Sequence, residues 1–342
     1  MSLPVVCSSH QKNLILKHNF QANPFRNNFS FVLGILKGVI FIFESIEGVE
    51  KVYQFSLLTG EHLKTHTSPD GKRLGVNWRS YKITNQFKIC ANLKDPDNPL
   101  LFWTAVGNNY IGSLYRSDLS SWETIKVYDA VDCIVPLVID HEKRLIYFKD
   151  LSSHETYISS IEIDVEKFNL QKVLELSRIL SLDFDSDQDL LFISDEYEKY
   201  FSFDPSTRTM IQINSETLIN WCCCQNGILS FLDTGDFGII TLKFFNHQGQ
   251  FFSCDIEINN INTVLFDWTT KSIILTSLSE TMIILPDQFI FTSPNWSVQN
   301  HHQQPLKRKK RVEIFTMIRS LQYNHVISLL PNELLFEIFK YL

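Results

Sequence analysis

The chain has 342 residues, enough for one large domain or two of ordinary size. Hydrophobic residues make up 44% of it and charged residues 20%, a composition that excludes wholesale disorder. The 27 phenylalanines favour stacked β-sheets over a helical bundle. Because the net charge is −7, the chain does not have the composition of a protein that coats nucleic acid or an anionic membrane, and neither is expected as a partner.

The cysteines and the apolar segments indicate the compartment. Seven cysteines occur, three of them consecutive at Cys222–Cys224, and no Cys-x-x-Cys pair is present, so neither a disulfide framework nor a zinc module fits. The N-terminus lacks a basic region followed by an apolar one, so no signal peptide is predicted. The most apolar stretch, residues 31–43, is shorter than the ~20 residues of a membrane span. We expect a cytoplasmic protein, or a nuclear one if the basic cluster Lys307–Arg311 acts in import.

A first half-repeat recurs along the chain. It consists of an apolar residue, a polar turn that usually begins with Asp, and a β-rich run, which is the pattern of a β-hairpin. Asp140 and Asp185 are 45 residues apart, and Asp185 and Asp267 are 82 apart, about twice the same period. The copies are Ile35–Phe41, Leu93–Trp103, Ile139–Phe148, Phe184–Ile193, Cys222–Phe231 and Phe266–Leu275.

A second half-repeat follows each of these after about twenty residues. It is an alternating strand that ends in a polar turn, and its copies are Lys51–Gly60, Tyr110–Asp118, Tyr157–Asp164, Lys199–Thr207, Ile239–Asn246 and Thr281–Asp287. Two hairpin signals in each period of ~40 residues are typical of the four-stranded blades of a β-propeller. The sequence therefore predicts an all-β fold, a six-bladed propeller over residues 31–288, with two ordinary β-sandwiches as the alternative.

Two features at the start of the chain have more than one interpretation, namely the length of the first period and the role of residues 1–30. The first period is about twenty residues too long, which indicates either an insertion around Ser68–Leu74 or a seventh, degenerate blade. We expect residues 1–30 to complete the last blade or to lie along its rim, because closure of the ring removes exposed sheet edges.

The pattern changes after the repeats. Residues 289–311 are rich in polar residues and end in the basic cluster, which predicts a linker. Residues 312–342 have apolar positions at three- and four-residue steps, which predicts a helical segment. Its last helix is expected to begin at Pro331, where a missing N–H has no cost, with Glu333 in the first turn, where the helix dipole favours a carboxylate.

The closing string, Leu330-Pro-Asn-Glu-Leu-Leu-Phe-Glu-Ile-Phe-Lys-Tyr-Leu342, resembles the first helix of an F-box. The matching pattern is Leu-Pro-x-Glu-(Leu/Ile)-Leu-x-x-Ile-Phe-x-Tyr-Leu, and every fixed position is met. The resemblance covers residues 328–342, and the second and third helices of the F-box have no counterpart in this sequence. F-box proteins with propellers usually carry the F-box first, whereas here it comes last.

The resemblance implies a substrate-recognition subunit of a Skp–cullin–F-box ubiquitin ligase. In such a subunit the propeller binds an unknown protein substrate, and the F-box docks on a Skp-type adaptor and through it on a cullin. The adaptor-binding residues implied are Leu330, Pro331, Leu334, Leu335, Ile338 and Phe339. A receptor of this kind performs no chemistry, so no catalytic residue, metal or cofactor is expected.

Enzyme signatures are weak in comparison. No nucleophile elbow, zinc-protease motif, phosphate-binding loop or dinucleotide fingerprint occurs. Asp185, Asp187 and Asp189 imitate the ligand spacing of an EF-hand but lack its glycine, so a hairpin turn is the better interpretation. His62 and His66 have no evident acidic partner for a metal.

Two further alternatives are a plain protein-interaction propeller and a metal-dependent hydrolase that resembles the six-bladed gluconolactonase type. The recurrence of Asp at equivalent turns favours an architectural role over such a metal site.

Overall fold

The computed structural model describes residues 14–17, 29–46, 49–69, 87–95, 97–105, 111–152, 156–164, 168–176, 178–197, 199–213, 221–224, 227–233, 239–246, 251–257, 261–270, 272–277, 280–284 and 312. Apart from Val312, which is helical, these residues form strands and the turns between them.

Twenty-four β-strands lie in the described ranges. Their bounds are β1 Leu14–Lys17, β2 Phe29–Leu36, β3 Val39–Ile46, β4 Val49–Ser56, β5 His62–Thr67, β6 Phe87–Cys90, β7 Leu100–Ala105, β8 Ile111–Asp118, β9 Thr124–Asp132, β10 Val138–Asp140, β11 Leu145–Asp150, β12 Tyr157–Glu162, β13 Gln171–Glu175, β14 Ile179–Asp185, β15 Leu190–Asp195, β16 Tyr200–Asp204, β17 Thr209–Ile213, β18 Trp221–Cys224, β19 Gly227–Asp233, β20 Ile239–Asn246, β21 Phe251–Glu257, β22 Ile261–Asp267, β23 Ser272–Ser277 and β24 Glu280–Ile284.

The strands pair antiparallel, mostly with their neighbours in the chain, and fall into six four-stranded units. Unit 1 is β2–β5, unit 2 β6–β9, unit 3 β10–β13, unit 4 β14–β17, unit 5 β18–β21 and unit 6 β22–β24. Units 2 and 3 are joined into one sheet where Val131 of β9 pairs with Asp150 of β11. The fourth strand of unit 6 is β1, which pairs with β24 from Leu14 opposite Ile283 to Lys17 opposite Glu280.

The positions of the predicted hairpins are confirmed. The turns at Lys37–Gly38, after Asp140, after Asp185 and after Asp267 each join the first two strands of a unit. Lys37 and Gly38 have φ values of 50° and 76°, the left-handed pair that a two-residue hairpin turn with the twist of the sheet requires. The predicted second half-repeats form β4, β8, β12, β16, β20 and β24.

The second strand of a unit is buried on both faces. In β3, Phe41 and Phe43 pack against unit 2, whereas the alternate residues Ile40 and Ile42 pack beside Ile274 of unit 6. Alternate side chains of β7, β11 and β15 divide in the same way between the two adjacent units. Both faces of these strands therefore carry apolar residues, whereas a sheet of a two-sheet sandwich has one covered face and one that faces solvent.

The first strands of consecutive units lie side by side, in the order β2, β6, β10, β14, β18 and β22. The described chain is therefore an all-β assembly of antiparallel sheets that pack face to face around their first strands. The predicted linker 289–311, the insertion around Ser68–Leu74 and, except for Val312, the predicted helical segment 312–342 lie outside the described residues, apart from Ser68 and Pro69.

Candidate functional site

The six residues implied for adaptor binding lie outside the described part of the chain, as does the basic cluster Lys307–Arg311. The described residues offer two other kinds of polar feature. The first is the set of aspartates at the hairpin turns, and the second is a cluster on the first strands.

The turn aspartates have a structural role. Asp185 is fully buried, and its Oδ1 accepts hydrogen bonds from the backbone N–H groups of Asp187 and Gln188, both at 2.9 Å. Asp140 and Asp267 accept bonds from the backbone two and three residues later in the same manner. The interpretation of the EF-hand-like spacing as a hairpin turn is therefore confirmed.

His62 and His66 do not converge on a common point. The ring of His66 is buried and its Nε2 lies 2.6 Å from the side-chain nitrogen of Gln54. The Nε2 of His62 instead lies 2.7 Å from the hydroxyl of Thr65, three residues later in β5. Burial lowers the pKa of His66, and the nearby Lys64 adds to that effect.

The inner-strand cluster consists of Lys88, Asp183, Cys222 and Cys223, and it is the candidate site of the described chain. Asp183 is on β14, where it alternates with the apolar Leu182 and Phe184, and its Oδ2 accepts a 2.6 Å hydrogen bond from the backbone N–H of Cys223 on β18. Lys88 is on β6, and its ammonium interacts electrostatically with both Asp183 and Cys222. Both charged side chains are half-buried.

Burial controls the proton affinity of this cluster. It raises the pKa of Asp183, and the positive charge of Lys88 opposes that rise. In the turn after β10, the surrounding protein lowers the pKa of His141, and the charges of Arg144 and Lys88 act in the same direction. His141 is therefore neutral at physiological pH, while Asp183 holds its proton more tightly than a carboxyl in water.

The two thiols of the cluster are not activated. Burial raises the pKa of Cys222 and of Cys223, and the charge of Asp183 raises both further. Because the thiolate is the nucleophilic form, neither cysteine is a nucleophile near neutral pH.

Within the described ranges, no group of three or more His, Cys, Asp or Glu side chains is arranged to hold a metal ion. No helix in the same ranges is both long enough and apolar enough to cross a membrane.

Little in the sequence indicates the inner-strand cluster. Lys88 lies between apolar residues in a strand whose polar and apolar residues alternate in the usual way, and it is distant from Asp183 in the chain. The one available signal was Asp183 itself, an ionisable residue between two buried apolar neighbours of a strand.

Comparisons with known proteins give similarities of structure only. No protein-family model matches the sequence, and no curated protein matches it either. A gluconolactonase from Xanthomonas campestris has a TM-score of 0.48 at 13% identity, over 80% of this chain and 90% of its own. Sqt1 from Saccharomyces cerevisiae has a TM-score of 0.41 at 11% identity, over 72% and 69% of the two chains. The Dos1 propeller has a TM-score of 0.38 at 13% identity, over 71% and 65%. Similarity at this level carries no information about ligands or activity.

Proposed function

We propose that the chain is a six-bladed β-propeller that serves as the substrate-recognition subunit of a Skp–cullin–F-box ubiquitin ligase. Each four-stranded unit is one blade, the propeller binds the substrate, and the helix within Leu330–Leu342 docks on the Skp adaptor. The observation that carries the ligase role is the F-box-like string at Leu330–Leu342. The chain is assigned a binding role with no catalytic step, in the cytoplasm or the nucleus.

The packing of the units supports six blades in place of seven. Phe87 and Ile89 of unit 2 share one apolar cluster with Leu33 and Phe43 of unit 1, so these two units are direct neighbours. A seventh blade built from the long first period would have to separate them. The extra residues of that period are therefore assigned to an insertion.

Contacts between the first and last units support a closed ring. Ile274 and Leu265 of unit 6 pack with Val32 and Ile40 of unit 1. The pairing of β1 with β24 also supports closure. The strand that precedes unit 1 in the chain belongs to unit 6, so the polypeptide itself connects the first and last units. A closed ring is rigid and presents loops at both ends, which suits a protein that binds another protein.

The proposed adaptor helix has the chemistry of a docking surface. Leu334, Leu335, Ile338 and Phe339 form one apolar stripe at helical spacing. Burial of each such side chain contributes about 1.5–3 kcal/mol of favourable free energy. A partner surface that covers the stripe would therefore bind with several such contributions.

The test is a pull-down of the full chain with a purified Skp-type adaptor. We expect the adaptor to bind the unchanged chain and to be lost from the double variant Leu330→Ala/Pro331→Ala. Lys340→Ala is the matched control, because it changes the same segment at a position outside the proposed contact set. Failure of the unchanged chain to bind, or full retention by the double variant, overturns the ligase role and leaves a plain interaction propeller.

A further inference from the structure

The outermost strand of unit 4, β17 (Thr209–Ile213), has an exposed edge. It pairs with β16 on one side only, and nothing in the described part of the chain pairs with its other side. Two of its apolar side chains face solvent, Met210 with 42% of its surface exposed and Ile211 with 62%. An exposed, apolar strand edge is a ready template for another strand, and native proteins usually protect such edges.

The outermost strands of the other five units carry the usual protection, and β17 does not. Each of those five strands contains at least one charged residue, namely Lys17 in β1, Lys64 in β5, Lys126 in β9, Lys172 in β13 and Asp255 in β21. The pairings of β5, β9 and β13 are also interrupted by irregularities of register that bend the edge. The pairing of β16 with β17 is regular from Tyr200 opposite Ile213 to Asp204 opposite Thr209.

We propose that β17 is a docking strand, to which an extended segment of a partner protein adds as a fifth strand of unit 4. Backbone hydrogen bonds along the free edge would supply affinity, and the side chains of Met210 and Ile211 would supply selectivity. The inference rests on the proposed function in one respect, because it takes the partner to be the substrate that the propeller recruits.

The chemistry of β17 defines the segment that it accepts. No residue from Thr209 to Ile213 is charged, so a charge on the incoming strand would lose water without gaining a partner. Arg208, directly before the strand, is exposed and can pair with an acidic residue at the corresponding end of the segment. The expected segment is therefore uncharged and rich in β-branched residues, with Asp or Glu at one end.

A second copy of the chain is the less suitable occupant. Five residues of strand are only about 17 Å long. Stable interfaces between folded proteins bury roughly 1,200–2,000 Å², far more than a pair of strands of this length can cover. An extended segment of a partner can pair along the five residues of β17 alone, because it does not have to bring a second folded surface against unit 4.

The test uses the full chain and a fluorescent peptide that alternates Thr and Val over seven residues and ends in Glu. We expect saturable binding by fluorescence anisotropy, with slower amide hydrogen exchange within residues 209–213 in the presence of peptide. Ile211→Lys is expected to weaken binding by about tenfold or more, since it places an unpaired charge on the edge. A peptide with Lys in place of its central residue should bind correspondingly less well.

Leu63→Lys is the matched control, because Leu63 is 51% exposed on β5, an outermost strand that already carries a charge. It should leave peptide binding unchanged. Gln212→Lys is the second edge variant and is expected to act as Ile211→Lys does, so that misfolding of one variant leaves the test intact. The proposal is overturned if the unchanged chain does not bind the peptide, or if both edge variants bind it as well as the unchanged chain does. Self-association that the edge variants abolish would assign the edge to a second copy and overturn it as well.

The two proposals fail separately. Ile211→Lys should retain the adaptor in the pull-down, because the proposed adaptor contacts lie in another segment. If the unchanged chain binds the peptide but no adaptor, the ligase role is lost and the docking strand stands.

Discussion

Asp185 lies in the turn between β14 and β15, where its buried carboxylate accepts two backbone N–H groups. The turn ends at Asp189 in the left-handed region, with φ of 59°, and Arg144 has the same conformation, with φ of 57°, in the equivalent turn of unit 3. The chain has only 12 glycines, so side-chain hydrogen bonds from Asp stabilise turns that glycine would otherwise favour.

Asp185→Ala should lower the free energy of unfolding by about 1–3 kcal/mol, because two buried donors lose their acceptor. Asp185→Asn should retain most of the stability, since its amide oxygen can still accept from Asp187 and Gln188. Urea denaturation of the two variants measures the difference. Equal losses in both would show that charge, and not the turn hydrogen bonds, is the important property.

Asp183 gives a pH dependence of definite sign. Burial raises its pKa above the ordinary value of 3.8, so ionisation is less favourable in the folded protein than in the unfolded chain. Asp183 therefore stabilises the folded protein at low pH. This stabilisation is lost as the pH rises through the pKa that Asp183 has in the folded protein. Asp183→Asn should make the protein more stable than the unchanged chain at pH 7, and this advantage should shrink toward pH 4.

Urea denaturation at several pH values tests this expectation, with Asp129→Asn as a control of opposite sign. Hydrogen bonds from Ser113 and Lys126 lower the pKa of Asp129, so its ionised form is favoured in the folded protein. Because Asp129 is exposed, solvent screens this effect, and the Asp129 variant should show no gain in stability over the unchanged chain at pH 7. A pH-independent effect of Asp183→Asn would contradict the assignment of a raised pKa.

At the scale of elements, one ion pair lies at the junction between units 2, 3 and 4. Lys149 of β11 lies with its Nζ 2.9 Å from Oδ2 of Asp132 in β9, and it also donates to the carbonyl of Ile179 in β14 at 3.1 Å. Both charged side chains are largely buried. Removal of one charge therefore leaves the other without its opposite charge in a poorly hydrated place.

Lys149→Met should destabilise the protein by about 3–5 kcal/mol, the usual cost of breaking a buried pair from one side. The double variant Lys149→Met/Asp132→Asn should recover part of this loss, because Asn at 132 is neutral and can still accept from the N–H of Ile134. Thermal unfolding of the single and double variants measures the recovery. Lys126→Met, at an exposed pair, should leave the melting temperature essentially unchanged.

At the scale of the whole molecule, unit 1 and unit 6 are in direct contact, as the proposed closed ring requires. The turn at Gly38 approaches the turn of unit 6 so closely that an added Cβ would lie 2.9 Å from Cγ2 of Thr270. Thr270 cannot easily move away, because its hydroxyl donates to Asp267 at 2.6 Å. The two turns belong to opposite ends of the repeat region.

Gly38→Ala should cost about 1–3 kcal/mol, because alanine is strained at a φ of 76° and its methyl group meets Thr270. Thr270→Ser in the same chain should recover part of the loss, since serine keeps the hydroxyl and removes Cγ2. A double-mutant cycle by urea denaturation gives the coupling energy. Gly60→Ala, at a φ of 71° in another turn of unit 1, should show no coupling to Thr270→Ser, and equal coupling of both glycines would contradict direct contact across the closure.

Only part of the candidate functional residues could be predicted from the sequence. The adaptor-binding residues follow from a contiguous string and remain a prediction, whereas the inner-strand cluster was not predicted at all. Lys88, Asp183 and Cys223 lie on three different units. Cys223 belongs to the run of three cysteines, but the local sequences of Lys88 and Asp183 are unremarkable. Their proximity arises because the first strands of the units lie side by side.

The sequence by itself determined the strands, their hairpins and the aspartates that close them, because these features depend on residues only a few positions apart. Hydrophobic alternation and turn chemistry act over that range and are legible in the chain. The tertiary structure alone decided that β1 joins β24, that the charge of Lys88 acts on Asp183, and that no other described strand pairs with the outer side of β17. These outcomes depend on how the six units pack against one another, and local periodicity does not encode which distant surfaces meet.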